Sequence, residues 1–313
     1  MIGEQRKKIF ILMVNMFIAL ASFGIVIPIL PQYLESIGQG GKAAGLMIAI
    51  FAAAQFVMSP VAGKWADQYG RRKMIIIGLS GLALSMFVFY LSDSIWILYL
   101  SRIFGGIGAA LLIPAIFAYI ADITTMDQRA KGNSMISASM SLGIVIGPGI
   151  GGFAAEIGLK VPLLFSAIVA VIAVIFSIFL LKESKENLEG YNDYPQEPMI
   201  LKIAKTVKMP YFILLVISLV MSFGLMAYES VLGLFVDYEF NATPQDIALM
   251  VTSTGIISVI VQLFVVDRLV RKFGEGKILS FFIGLTAVGF LLSIFANNYF
   301  VFFGITLLIF LAT

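Results

Sequence analysis

The 313-residue chain contains no cysteine and no histidine, and only 12% of its residues are charged. Each absence closes a class of protein. Without cysteine there is no disulfide framework. Without cysteine and histidine, zinc and haem sites and cysteine or histidine catalysis lose their usual ligands and nucleophiles, so no metal, cofactor or enzyme activity is expected. A soluble domain carries about a quarter charged residues. Half that fraction, beside 60% hydrophobic residues and a mean hydropathy of +1.01, places the chain in a lipid bilayer. No nucleic-acid partner is expected. The net charge of +3 says little until the charges are placed.

What is present in quantity is apolar sequence. A spanning helix needs about 20 apolar residues, so the composition supports roughly nine or ten spans. Apolar runs extend over Ile9–Leu30, Ala43–Ala62, Met74–Leu91, Ile95–Ala121, Ser134–Ala155, Val161–Leu181, Met209–Val236, Ile247–Val266 and Ile278–Ala296, and a tenth begins at Tyr299. Backbone groups in hydrocarbon must be satisfied within the segment, so each run predicts a helix. The ten-residue alternation of a membrane barrel is absent. Ala19-Leu20-Ala21 resembles a signal-peptide cleavage site, but the apolar run continues to Leu30, which predicts an uncleaved first helix.

Cations distribute unevenly between alternate connections. With the amino terminus inside, eighteen of the 21 lysines and arginines fall on the inner side and only Lys42 and Lys160 on the outer. Inner loops of membrane proteins carry this excess, so the amino terminus is expected in the cytoplasm of a multi-pass plasma-membrane protein. The longest connection, Lys182–Lys208, mixes lysines with acids, Pro195 and Pro198 and reads as a cytoplasmic linker. It divides the chain into a six-helix bundle at 1–181, a linker at 182–208 and a second, incomplete bundle at 209–313. Ser22-Phe23-Gly24 recurs as Ser222-Phe223-Gly224, and Asp67 as Asp267, at one offset. Parallel six-helix repeats are a known transporter architecture.

Two short stretches stand out. The first inner connection reads Gly63-Lys64-Trp65-Ala66-Asp67-Gln68-Tyr69-Gly70-Arg71-Arg72-Lys73: turn glycines, one carboxylate and a group of cations at headgroup depth. The fifth run contains Gly143, Gly147, Pro148, Gly151 and Gly152. Small residues four apart let helices approach closely, and Pro148 removes a backbone donor. Taken singly, these are a positive-inside turn and a kinked packing helix.

Together with Gly24–Pro31 and Leu100–Gly108, they resemble the major facilitator superfamily, in its drug/proton antiporter branch, and the run Ser222–Glu229 is similar to the Gram-positive quinolone and multidrug efflux pumps there. The resemblance implies an all-α, two-bundle transporter of six plus six helices, monomeric and driven by the proton gradient. It implies a conformational latch from Gly63, Asp67, Gly70, Arg71 or Arg72, and Asp122. It also implies an antiporter motif at Gly143–Gly152, and a substrate cavity reached by Ile27, Phe51, Gln55, Ser141 and Tyr228. A chain of this type should hold twelve helices, so a truncated copy or incomplete record is expected. The second copy of the loop motif, Asp267 to Gly274, is degenerate.

Two ionisable residues remain inside the hydrocarbon, Arg102 in the fourth run and Glu229 in the seventh. Both lie seven residues from the outer end of their run, roughly 10 Å deep. Charges at that depth are costly and usually face a cavity. A carboxyl that alternately holds a proton or a cationic drug offers a physical route to exchange, with Arg102 tuning it; a static Arg102–Glu229 pair tying the halves together is the structural alternative. Three tasks are therefore open: drug efflux against protons, proton-coupled export or uptake of a specific metabolite on the same fold, and a membrane enzyme or sensor. The last lacks a catalytic cluster and a soluble signalling segment.

Overall fold

A computed structural model describes residues 3–184, 212–261, 265, 269 and 272–312. Among these, ten helices and no strand occur: α1 (Gly3–Ser36), α2 (Gly41–Tyr69), α3 (Arg71–Leu91), α4 (Ile95–Ile123), α5 (Met126–Ala154), α6 (Val161–Leu180), α7 (Phe212–Phe240), α8 (Pro244–Val261), α9 (Glu275–Ser293) and α10 (Tyr299–Ala312). Eight of them are long and apolar enough to cross a membrane. The described part of α8 and the 14-residue α10 are the two left out. The expected linker from residue 185 onward, and Asp267, lie outside the described residues.

The helices outrun the apolar runs that announce them. α1 begins six residues before Ile9, α2 continues seven residues past Ala62, and α5 starts eight residues before Ser134. Hydropathy marks the hydrocarbon layer, whereas the i to i−4 bonds continue into the headgroup region where polar side chains are welcome. Pro28 and Pro31 in α1, Pro60 in α2, Pro114 in α4 and Pro148 in α5 sit inside continuous helices, as neighbouring helices in a membrane allow.

The first six helices pack on one another: α1 on α5, α3 on α4 and α6, α2 on α4. Their core has two apolar layers. One, around Leu12, Ile75, Leu112 and Tyr119, lies towards the end carrying Lys64, Arg71, Arg72 and Lys73, hereafter the basic end. The other, around Ile29, Tyr33, Met47 and Phe89, lies towards the far end, where Leu234 of α7 packs against it. The remaining helices make a smaller core around Leu232, Ile247, Met250 and Phe302. The two sets meet through α5 with α8, and through α1 and α2 with α7.

Candidate functional site

At the basic end, α2 stops at Tyr69 and α3 starts at Arg71, with Gly70 alone between them at φ 101. Glycine adopts that conformation without steric cost. The reversal brings Arg71 back beside Asp67, Nη2 lying 2.6 Å from Oδ1. Its Nη1 donates to the Ala66 carbonyl at 3.0 Å. Its Nε lies 2.9 Å from Oδ2 of Asp122 on α4, held there by charge rather than by an aligned N–H. Arg71 is buried, yet both carboxylates remain partly wet. Arg72 turns the other way and donates to the Ile178 carbonyl on α6. Of the five residues the loop motif supplies, Asp67 and Arg71 meet with Asp122, Gly70 makes the turn, and Gly63 faces open space.

Sequence reasoning missed two members of this cluster. The Glu183 carboxylate, just beyond α6, accepts from the Arg71 backbone N–H at 2.9 Å and the Arg72 N–H at 3.3 Å. It thereby caps the first turn of α3, where free N–H groups and the helix dipole favour an anion. It occupies the space that any Cβ at Gly70 would need. Ser184 Oγ donates to Asp122 Oδ2 at 2.7 Å. Both residues belong to a stretch whose mixed charge reads as solvated linker, and nothing in its spacing signals docking.

The glycines of α5 form two contact stripes. A Cβ at Gly143 would lie 2.7 Å from the Phe17 carbonyl oxygen, and one at Gly147 the same distance from that of Ala21; one at Gly151 would collide with Ile25. Positions four apart on α5 thus seat the backbone of α1, also at intervals of four. Pro148 Cδ reaches the space beside Gly24 of α1. The opposite face meets the second half: Gly152 abuts Ala248 and the Pro244 carbonyl, Gly149 abuts Thr252, and Val145 fills the space beside Gly255. α5 is therefore packed closely on both halves at once.

Between the halves lies a cavity walled by α1, α2, α4 and α7. Ile27 and Phe51 line it, as do Arg102 and Glu229, which face it from opposite halves. The space that water centres can occupy is about 50 Å³, enough for only a few waters, so a drug-sized guest must widen it. Phe51 is held by α4, where a Cβ at Gly105 would lie 3.0 Å from its ring, and its ring centroid is 5.4 Å from that of Phe23. Arg102 is 4% exposed; its Cζ sits 4.5 Å from the Phe89 ring centroid, and its Nε and Nη2 have no hydrogen-bond partner. No ion pair joins Arg102 to Glu229 among the described residues, so the static tie between halves is not formed in this arrangement.

The other expected cavity residues are placed elsewhere. Tyr228 points into the second half, its hydroxyl 2.8 Å from Thr306 Oγ1 and its ring 5.2 Å from Phe290. Neighbours along a helix are turned by about 100°, so Tyr228 and Glu229 cannot share a direction. Stepping by three or four from Glu229 gives Met226 and Gly233, and both do line the cavity. Gln55 is half-buried beside Gly106 of α4, and Ser141 is half-buried on α5; neither lines the cavity.

At the far end, Lys160 Nζ lies 2.6 Å from Asp93 Oδ1 and joins two connections, α3 to α4 and α5 to α6. The hydrogen bond from Lys160 holds the Asp93 carboxyl below its usual range. Tyr33 Oη donates to the Ser92 carbonyl at 2.9 Å and anchors the end of α1 to the same place.

Residues 12–313 match the model of the Major Facilitator Superfamily. Multidrug resistance protein 2 of Bacillus subtilis is 38% identical over 282 residues, covering 89% of this chain and 70% of that protein. Quinolone resistance protein NorA of Staphylococcus aureus is 33% identical over 295 residues, covering 94% and 75%. Among solved structures, a bacterial homolog of the human lysosomal transporter Spinster, in an inward-facing and unoccupied conformation, superposes with a TM-score of 0.76 at 16% identity, covering 100% of this chain and 73% of that one. Helices throughout the described residues, a loop where Asp67, Arg71 and Asp122 meet, and a cavity between two helical sets accompany a family match over nearly the whole length: the chain is a multi-pass membrane protein belonging to the Major Facilitator Superfamily.

Proposed function

We propose that this protein is a multidrug efflux antiporter of the plasma membrane, with its amino terminus in the cytoplasm, exchanging amphipathic or cationic drugs for protons taken up through Glu229. The observation that carries the reading is the cavity between the halves: apolar in its lining, with Glu229 on one wall, Arg102 on the other and no bond between them. Similarity to proteins named for multidrug and quinolone resistance supports the substrate class. The bias of eighteen cations to two supports the orientation.

An ionised carboxylate facing apolar side chains is costly unless something neutralises it. A proton does so by making the acid neutral, and a cationic amphiphile does so by pairing, so each excludes the other. Arg102 keeps its charge throughout and supplies a fixed positive wall opposite. Alternating access then requires the halves to rock about this site. In the proposed orientation the far end is the cell exterior. The approaches of Gly152 to Pro244 and Ala248, of Leu234 to Gly41, and of Gly233 to Pro31 close that side and must part for release.

The test is efflux of ethidium and of a fluoroquinolone from energised cells expressing the chain, with and without a proton uncoupler. Efflux that stops with the uncoupler is expected. Efflux indifferent to it overturns proton coupling, and proton-driven uptake of a labelled sugar without dye export would favour the metabolite transporter on the same fold.

A further inference from the structure

A second cavity lies at the basic end, on the outer surface of the first six helices and away from the site between the halves. It is a groove between α1 and α6 with about 540 Å³ of space open to water-sized molecules. Its walls are apolar, from Ile11, Val14 and Ile18 on α1 and Ile172 and Phe176 on α6. Its polar floor is closed: Asn15 Nδ2 donates to Ser177 Oγ at 2.9 Å, with both residues buried. Its mouth is formed by Glu4, Lys7, Lys8 and Lys182. Glu4 is paired with Lys8 at 3.3 Å, whereas Lys7 and Lys182 have no carboxylate within 4 Å among the described residues.

We propose that this groove binds one anionic phospholipid, its phosphate between Lys7 and Lys182 and one acyl chain along the cleft between α1 and α6. The dimensions agree with a single leaflet. From Lys8 to Ile18 α1 rises by about 15 Å, half of the roughly 30 Å hydrocarbon thickness. The lysines stand at one end of that path, where headgroups lie, and the apolar walls occupy the rest. A water-soluble ligand would find little to bond along these apolar walls, because the Asn15–Ser177 pair at the floor satisfies itself. A zwitterionic headgroup brings its own cation against Lys7 and Lys182, and an anionic one does not. Basic pockets between helices on the cytoplasmic side of membrane proteins take such headgroups. The proposal stands on the membrane placement alone and is independent of what the central cavity transports.

The test is native mass spectrometry of the purified full chain in uncharged detergent, with equimolar dioleoylphosphatidylglycerol and dioleoylphosphatidylcholine. Their acyl chains are identical, so only the headgroup decides. Preferential retention of the phosphatidylglycerol, by about fivefold or more, is expected, and equal retention by the wild-type chain overturns the proposal. The Lys7→Gln/Lys182→Gln variant should fall to parity, and an unchanged preference there overturns the assignment of the lysines. Val14→Trp, which fills the cleft from its exposed side, should lower retention of both lipids. Free glycerol 3-phosphate should displace neither. Displacement by it, or an unaffected Val14→Trp, would mean an anion site without a lipid chain and would equally overturn the proposal.

Discussion

Arg71 and Arg102 belong to the same six-helix set and are almost equally hidden, 6% and 4% exposed, yet their surroundings are opposite. Arg71 is met by the Asp67 carboxylate, the Ala66 carbonyl and the charge of Asp122. Arg102 has a phenyl ring under its guanidinium, two nitrogens without partners, and a cavity in front. A buried charge deprived of partners is a net cost to folding. Arg71 is explained by local structure, since it closes the turn between α2 and α3. No carboxylate pairs with Arg102 among the described residues of the first six helices, where the Phe89 ring offsets part of the cost, and the acid that lines the cavity with it is Glu229 of the other half. Within one bundle, one arginine is held by the groups of a turn and the other faces the cavity.

The largest effect that would break this contrast is at Glu229. Glu229→Gln keeps the size and removes the charge, and drug efflux should fall to the level of cells without the protein while the amount in the membrane stays the same. The contrast itself is tested by matched changes. Arg71→Met should lower stability by about 1–3 kcal/mol, because it strands two carboxylates at the turn. Arg102→Met should leave the melting temperature level or higher, since it removes an unpartnered charge at the cost of a cation–π contact of about 0.5–1 kcal/mol, and should still abolish efflux. Thermal melts of both variants in one detergent check this, and a large loss of stability in Arg102→Met would erase the distinction.

The glycine stripe predicts an intermediate effect. Gly151→Val places atoms where Ile25 of α1 already sits, so a cost of about 1–3 kcal/mol is expected from overpacking, whereas Gly63→Ala, which meets open space, should be neutral in the same melt. The smallest effect belongs to the exposed pair at the far end. Asp93→Asn should cost at most about 1 kcal/mol. Because Lys160 lowers the folded pKa of Asp93, the pair contributes above the unfolded value near 3.8 and the contribution is lost as pH falls through the lower, folded value. A melt series should show the wild-type advantage over Asp93→Asn at neutral pH and its disappearance at the acid end.

Features written in short, rigid patterns are legible in the sequence alone. Runs of apolar residues announce helices because lipid leaves the backbone no other choice, and glycines four apart on α5 announce close approach because spacing alone sets a helix face. The turn at Gly70 and the neighbours Asp67 and Arg71 are likewise local. Legibility stops where a result depends on how helices rotate against each other. Tyr228 and Gln55 sit on helices that wall the cavity, but a turn of about 100° per residue directs Tyr228 into the aromatic cluster of the second half; Ser141 sits on α5, which lends no residue to that wall. Glu183 is hidden for another reason: its partners are backbone N–H groups more than a hundred residues away, and a helix end carries no side-chain signature of what will cap it.

Coupling of protons to export by Glu229, through the cavity between the halves, is tested most directly with purified protein reconstituted in liposomes under an imposed pH gradient, following ethidium movement and internal pH together. Coupled fluxes of dye and protons in opposite directions are expected for the wild type, and neither flux for Glu229→Gln. Gradient-driven dye transport by Glu229→Gln at the wild-type rate would contradict the assignment of proton coupling to this carboxyl.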